Sequence, residues 1–255
     1  MDVLTHYPSC ALPFGDFLLS LPPMRVRQYS ISSSPLKDPD TCTITFSILD
    51  RPSLSDPQVE FEGVASTYLS TLQTGDSIQV SIRPTSKKTF RIPADLSTPL
   101  LMFCAGTGLA PFRGFVEQRA IQLAANPGRK LAPALLFVGC RSQTKDRLFA
   151  DEIDGWMKLG AVEVVYAFSR EKEHSEGCAY VGERMLKKKD TIASMWYNGA
   201  RGYVCGSREF AKGVGDAVRA ILSEARELRD DEDGRKELHE WFQSMQERIA
   251  SDVFD

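Results

Sequence analysis

The chain has 255 residues, 42% of them hydrophobic and 25% charged, with a formal net charge of -3 at pH 7. That length supports one large or two modest hydrophobic cores without disulfides or metal. The near-neutral balance gives no electrostatic footing for nucleic acid or a membrane surface. The 6 cysteines (Cys10, Cys42, Cys104, Cys140, Cys178 and Cys205) are far apart and form no CxxC pair. Such spacing excludes an ordinary zinc site and fits a reducing compartment.

The opening stretch, MDVLTHYPSC, has no basic region followed by an apolar one, and no apolar run is long enough to span a bilayer. A cytoplasmic chain without membrane segments is expected. Residues 1–23 hold Pro8, Pro13, Pro22 and Pro23 around a short amphipathic piece, FGDFLLSL. They read as the remnant of a connecting region that lies mostly upstream. Over 24–97 the runs RVRQYSIS, TCTITFSIL, DSIQVSIR and KTFRI are short, rich in Thr, Ile and Val, and separated by Pro, Asp and Gly. This spacing predicts a small antiparallel barrel. One helix, GVASTYLSTL, interrupts it.

Over 98–255 the pattern changes to apolar strands, LLMFCA, ALLFVGC, VEVVYAFS and GYVCG, alternating with helices expected at 112–125, 146–158, 181–189, 209–229 and 231–247. Strict alternation implies parallel pairing through right-handed crossovers, hence a doubly wound α/β domain. Its ligand belongs beyond the carboxyl ends of the strands, where the loops after Ala105, Cys140, Ser169 and Gly206 gather. The lysine run Lys187 to Lys189 reads as a solvated helix end.

Two stretches carry chemistry. In LLMFCAGTGLAPFRGFVEQRA a strand leads into a Gly-Thr-Gly turn, and Pro111 stands at the start of a helix. Glycines allow close backbone approach, and a helix start offers free N–H groups to a phosphate. The turn lacks the GxGxxG spacing, and the same sequence also suits a packing turn with no ligand. In RVRQYSISSSP, Arg25, Arg27 and Tyr29 share one strand face, with Gln28, Ser30 and Ser32 on the other. Cys205 ends an apolar strand, where cysteine is ordinarily a small buried hydrophobe.

The ordered motifs RQYSISSSP, GVAS, GTGLAPFRGF, FVGCRS, AFSRE, YVCGS and DVFD give the chain a resemblance to the FAD/NADPH-binding part of diflavin reductases. That is the NADPH–cytochrome P-450 reductase family, and above all the reductase end of self-sufficient fusion P-450 monooxygenases. The resemblance implies an antiparallel FAD-binding β-barrel followed by a doubly wound, ferredoxin-NADP reductase-like NADP domain. By position, Arg27, Tyr29 and Ser30 would contact FAD, with Cys42, Thr43 and Ile44 along its ring. Gly63, Val64, Ala65 and Ser66 would cradle its pyrophosphate. Gly106, Thr107, Gly108 and Arg141 would hold the NADPH pyrophosphate, and Ser169, Arg170 and Tyr180 the 2′-phosphate. Where the family often has lysine this chain has Cys178, and Lys172 would substitute for it.

Ser30, Cys205 and Asp252 would align nicotinamide and flavin, and Phe254, where the family usually has tryptophan, would stack on the flavin and move aside for hydride transfer. The implied partners are an FMN-binding flavodoxin-like domain and a P-450 haem domain, on the same polypeptide. Other readings are a stand-alone ferredoxin- or flavodoxin-NADP reductase, the reductase part of a sulfite reductase or nitric-oxide synthase, and a flavin-binding docking module without turnover.

Overall fold

The computed structural model describes residues 6–53, 56–83, 90–225 and 247–254. At the amino end, helix α1 (Phe14–Ser20) buries none of its residues. Strands β1 (Asp50–Pro52) and β2 (Glu60–Glu62) pair antiparallel, and helix α2 (Val64–Thr71) follows where GVASTYLSTL predicts one. Of the runs expected as strands, 25–32 and 41–49 meet at a single antiparallel bridge, Ile31 to Ile44. The run 76–83 joins no ladder among the described residues, and residues 88 and 89 of KTFRI lie outside them. Alternation gives a run an apolar face, but a ladder also needs a partner edge and a covering layer. Val80 and Ile82 are 72% and 75% exposed, so their face lacks that layer among the described residues.

The rest of the chain builds one five-stranded sheet from β3 (Leu100–Ala105), β4 (Ala134–Cys140), β5 (Glu163–Phe168), β6 (Arg201–Ser207) and β7 (Ile249–Phe254), in the order β5-β4-β3-β6-β7. Every adjacent pair is parallel. Helices α3 (Ala110–Ala125) and α4 (Ala150–Lys158) cover one face, and α5 (Val181–Lys187), α6 (Lys189–Tyr197) and α7 (Arg208–Ala225) the other. The two-residue period of β3 divides the core: Leu100, Met102 and Cys104 pack with Phe112 and Val116, while Leu101 and Phe103 pack with Met185, Ile192 and Ile221. Burial on both faces explains why these strands read as continuous apolar runs.

Three elements differ from the sequence expectation. The helix expected at 146–158 begins at Ala150, after a loop in which Asp146 accepts hydrogen bonds from the Arg141 and Ser142 amides. The helix expected at 181–189 breaks at Lys188, and α6 continues because Ile192, Met195 and Trp196 have a sheet face to cover. The carboxyl-terminal segment Ile249–Phe254, for which no strand is expected, is a strand. The expected helix 209–229 is seen as α7 to Ala225, and 226–246, most of the expected helix 231–247, lies outside the described residues.

Aromatic contacts join the two regions. Phe90 packs against Phe112, Phe115 and Tyr203, and the Tyr203 hydroxyl donates to the Arg91 carbonyl at 2.7 Å. Burial is the main influence on that phenol, which is pushed up to about 12. Arg119, buried at the middle of α3, donates to the carbonyls of Ala161 and Ala132 and so fixes the chain entering β4 and β5.

Leu136→Ala, which empties a fully buried site, is expected to lower unfolding free energy by about 2–5 kcal/mol in urea titrations. Leu19→Ala, at a side chain 86% exposed, is expected to change it by less than about 0.5 kcal/mol.

Candidate functional site

Strand β3 lies between β4 and β6, and the chain leaves it first toward β4 and β5 before crossing to β6 on the other side. In such sheets the reversal opens a crevice at the strand carboxyl ends. The turn after β3, Gly106–Leu109, is a single 3-10 turn leading directly into α3, with Pro111 in its first turn. Gly106 has φ +53°, and a Cβ placed there would meet no heavy atom within 4 Å. The backbone at that point faces open space beside a helix start, a cradle that fits a phosphate group. Gly108 is constrained from the other side: a Cβ there would lie 2.2 Å from the Cys205 carbonyl oxygen.

Three distant segments meet beside that contact. Parallel pairing of β7 with β6 sets Asp252 opposite Cys205 and Phe254 opposite Ser207. The Ser30 hydroxyl donates to Asp252 Oδ2 at 2.9 Å. Burial, helped by the negative charge of Asp252, pushes the Cys205 thiol up to about 12, so the group is a neutral thiol at physiological pH. Phe254, 44% exposed, stands at the end of the strand.

Arg248, which the sequence reading passed over, holds this tail in place. Its guanidinium donates to the Trp196 and Ala200 carbonyls, both at 2.7 Å, and lies 3.9 Å over the Trp196 ring. A basic residue just before a polar-ended tail was the available signal.

On the amino-terminal side, Tyr29 packs edge-on against Phe46 at 5.9 Å. The Ser32 amide donates to the Thr43 carbonyl, and the Thr43 amide to the Ser33 hydroxyl. Tyr29 and Ser30 therefore sit on a segment that runs antiparallel to Thr43 and Ile44. Cys42 and Arg27 are exposed nearby in the chain. Gly63 caps α2, with Val64 and Ala65 in its first turn. The Ser66 hydroxyl is already engaged, donating to the Gly63 carbonyl and accepting from the Leu49 amide, so it shapes the turn more than it offers a free group.

A second cluster occupies the ends of β4 and β5. The Arg170 amide donates to the Arg141 carbonyl at 3.0 Å, bringing two arginines side by side. Asp146 accepts from Arg141 Nε at 2.9 Å. Burial opposes ionisation of Asp146, but hydrogen bonds from Arg141 and Ser142 outweigh it and hold the carboxyl below its usual range. Glu171 ties the loops together, accepting from the Gln143 amide and the Ser142 hydroxyl, and these bonds also lower its carboxyl. Ser169 is half-buried, whereas Arg170, Lys172 and Tyr180 present exposed side chains. Cys178 is buried, its thiol directed at the Glu176 carbonyl. It is a packing residue, which leaves Lys172 on the 3-10 turn Lys172–Ser175 as a nearby cation.

Among the described residues, no group of three or more His, Cys, Asp or Glu is arranged to hold a metal, and no helix is long and apolar enough to cross a membrane.

A doubly wound sheet with a glycine turn at its switch point is a framework suited to binding a nucleotide. Residues 102–216 match the oxidoreductase NAD-binding domain family, and residues 1–68 the FAD binding domain family. The chain is 48% identical to a bifunctional cytochrome P450/NADPH–P450 reductase of Fusarium oxysporum, over 100% of this chain and 24% of that protein. It is also 48% identical to one of Aspergillus oryzae, over 89% of this chain and 21% of that protein. A self-sufficient cytochrome P450 monooxygenase of Phanerodontia chrysosporium is 43% identical over 100% of this chain and 24% of that protein. The chain carries an FAD binding domain and an oxidoreductase NAD-binding domain, is similar to these P450–reductase fusion enzymes, and spans about a quarter of the length of the curated relatives it matches.

Burial raises the thiols of Cys140 and Cys205 from 9.0 to about 12, and raises that of Cys104 as well. Because the folded pKa values are raised, the stability they contribute is present below about pH 9 and is lost as pH rises toward 12. Iodoacetamide at pH 8 is expected to label the exposed Cys10 and Cys42 and to spare the buried Cys104, Cys140, Cys178 and Cys205 until denaturant is added. Peptide mass spectrometry reads this, and labelling of Cys205 in the native chain would contradict the assignment.

Proposed function

We propose that this chain carries out the reductase step of a self-sufficient P-450 system: it takes a hydride from NADPH onto FAD and passes electrons to an FMN-binding flavodoxin-like domain that serves a P-450 haem. Residues 1–23 are read as the end of a connecting region, 24–97 as the FAD-binding barrel domain and 98–255 as the NADP domain. The alternating runs at 25–32, 41–49 and 76–83 support the barrel reading. The relatives unite P450 and reductase in one chain of which this sequence matches about a quarter, which supports placing both partners on the same polypeptide.

The observation that carries the proposal is the Ser30–Asp252 hydrogen bond at 2.9 Å, formed beside Cys205 at the switch point. FAD and NADPH supply the hydride chemistry, and the protein supplies binding, alignment and electrostatics. Arg27, Tyr29, Cys42, Thr43 and Ile44 would border the flavin, and the start of α2 at Gly63, Val64, Ala65 and Ser66 would hold its pyrophosphate, with the Ser66 hydroxyl shaping the turn. Gly106, Thr107 and Gly108 hold the NADPH pyrophosphate with Arg141. Ser169, Arg170, Lys172 and Tyr180 take the 2′-phosphate, for which a guanidinium and hydroxyls are the matched donors.

Ser30, its proton given to Asp252, would turn the free lone pairs of its hydroxyl oxygen to the flavin side. Asp252 fixes Ser30 and favours the positive charge that develops on the nicotinamide. Cys205, a neutral thiol, fills the space beside the ring without adding charge. Phe254 would cover the flavin ring and would have to move aside to admit the nicotinamide.

Anaerobic mixing with NADPH is expected to bleach the visible flavin band. Loss of a hydrogen bond to a charged group predicts that Ser30→Ala or Asp252→Ala slows this step by roughly 10- to 100-fold while FAD stays bound. Stopped-flow rates unchanged in both variants would remove the proposed roles. For cofactor choice, Arg170→Ala is expected to depress kcat/KM for NADPH by roughly 10-fold or more with little change for NADH. Phe254→Ala is expected to raise the NADH-to-NADPH ratio, and a ratio equal to that of the unaltered chain counts against the gating role.

A further inference from the structure

The proposed site requires Ser30, far upstream in the chain, to meet Asp252 in the tail strand, and one face of α3 carries the contacts that set its position. Arg113 Nη1 donates to the Ser32 carbonyl at 2.7 Å. A Cβ on Gly114 would lie 3.1 Å from the Ser33 carbonyl oxygen, so helix and segment touch backbone to backbone there. Glu117 Oε2 accepts from the Ser34 amide at 2.7 Å, and its other oxygen takes Lys37 Nζ at 3.1 Å. Arg113 and Glu117 are 5% and 3% exposed.

The guanidinium of Arg113 is itself fixed from behind. Nε and Nη2 donate to the two carboxylate oxygens of Glu152 at 2.8 Å each. It also lies 4.6 Å over the ring of Phe149, a residue in the left-handed region at φ +54° immediately before α4. A non-glycine residue in that conformation is strained and persists where surrounding contacts over-determine it.

A buried ion pair adds little net stability relative to apolar side chains, because desolvation offsets the attraction. Its hydrogen bonds are nonetheless directional, and here they end on Ser32 and Ser34 of the segment that carries Ser30, with Gly114 against Ser33 between them. We infer that Arg113 and Glu117 are positioning residues, which grip the backbone of Ser32–Ser34 and thereby hold Ser30 on Asp252, keeping the flavin segment and the nicotinamide domain in one register. The inference rests on the proposed roles of Ser30 and Asp252.

Two measurements on the full chain test it. In the FAD-free protein, amide hydrogen exchange read by mass spectrometry over residues 30–37 is expected to rise in Glu117→Gln, and exchange unchanged in that segment overturns the clamp. In the FAD-loaded protein, Glu117→Gln is expected to slow flavin reduction at saturating NADPH by about 10- to 100-fold, the range for a displaced reacting group. The double variant with Ser30→Ala is then expected to be no slower than Ser30→Ala alone, because Glu117 acts through Ser30. Multiplying effects would mark a merely structural role and reject the inference. Arg113→Lys, which keeps the charge but loses the planar fork, carries the same two measurements if Glu117→Gln does not fold. If Ser30→Ala itself leaves the rate unchanged, the reading of the site fails, while the exchange experiment still decides whether the clamp exists.

Discussion

A side chain at position 108 would collide with the Cys205 carbonyl, and that close approach organises the whole carboxyl end of the sheet. The missing side chain lets the turn leaving β3 lie directly on the strand that carries Cys205, so the glycine turn and that strand end cannot move independently. Parallel pairing then extends the same geometry outward by one strand, setting Asp252 opposite Cys205. Once those three positions are fixed, the site needs only a donor from the amino-terminal region, which Ser30 supplies.

The seams around this centre share one device. Arg113, Arg119 and Arg248 each direct guanidinium donors at main-chain carbonyls, joining α3 to the Ser30 segment, to the loops before β4 and β5, and the tail to the end of α6. A planar fork with several donors satisfies carbonyls that loops leave without ladder partners. Burial works against the charge, pulling Arg119 down to about 10 and lowering Arg248 as well, yet both stay protonated at neutral pH. The arginines thus join segments whose apolar contacts alone would leave their relative position loosely specified.

How legible each element was follows from how locally it is determined. Strands β3 to β6 are buried on both faces and read as apolar runs, and Gly-Thr-Gly followed by Pro111 marked the switch-point turn. Helix α6 was hidden because three consecutive lysines resemble a helix end, while the faces of Ile192, Met195 and Trp196 are meaningful only once a sheet lies beneath them. The tail IASDVF lacks the long apolar run of its neighbours, since β7 is an edge strand with a half-open surface. Arg113 and Glu117 looked like ordinary charged helix positions, and nothing local distinguished them from solvated residues.

The sequence by itself determined the alternation of strand and helix and the glycine turn, because those depend on short-range periodicity and on residues a few positions apart, while the nicotinamide and flavin chemistry is what the resemblance of its ordered motifs to a known family implies. Only the tertiary structure decided that the tail is a strand, that Cys178 is a packing residue, and that Ser30 meets Asp252. These are contacts between segments far apart in the chain. Such contacts arise from strand register, from steric exclusion at Gly108 and from buried hydrogen bonds at Arg113, Glu117 and Arg248, none of which local sequence encodes.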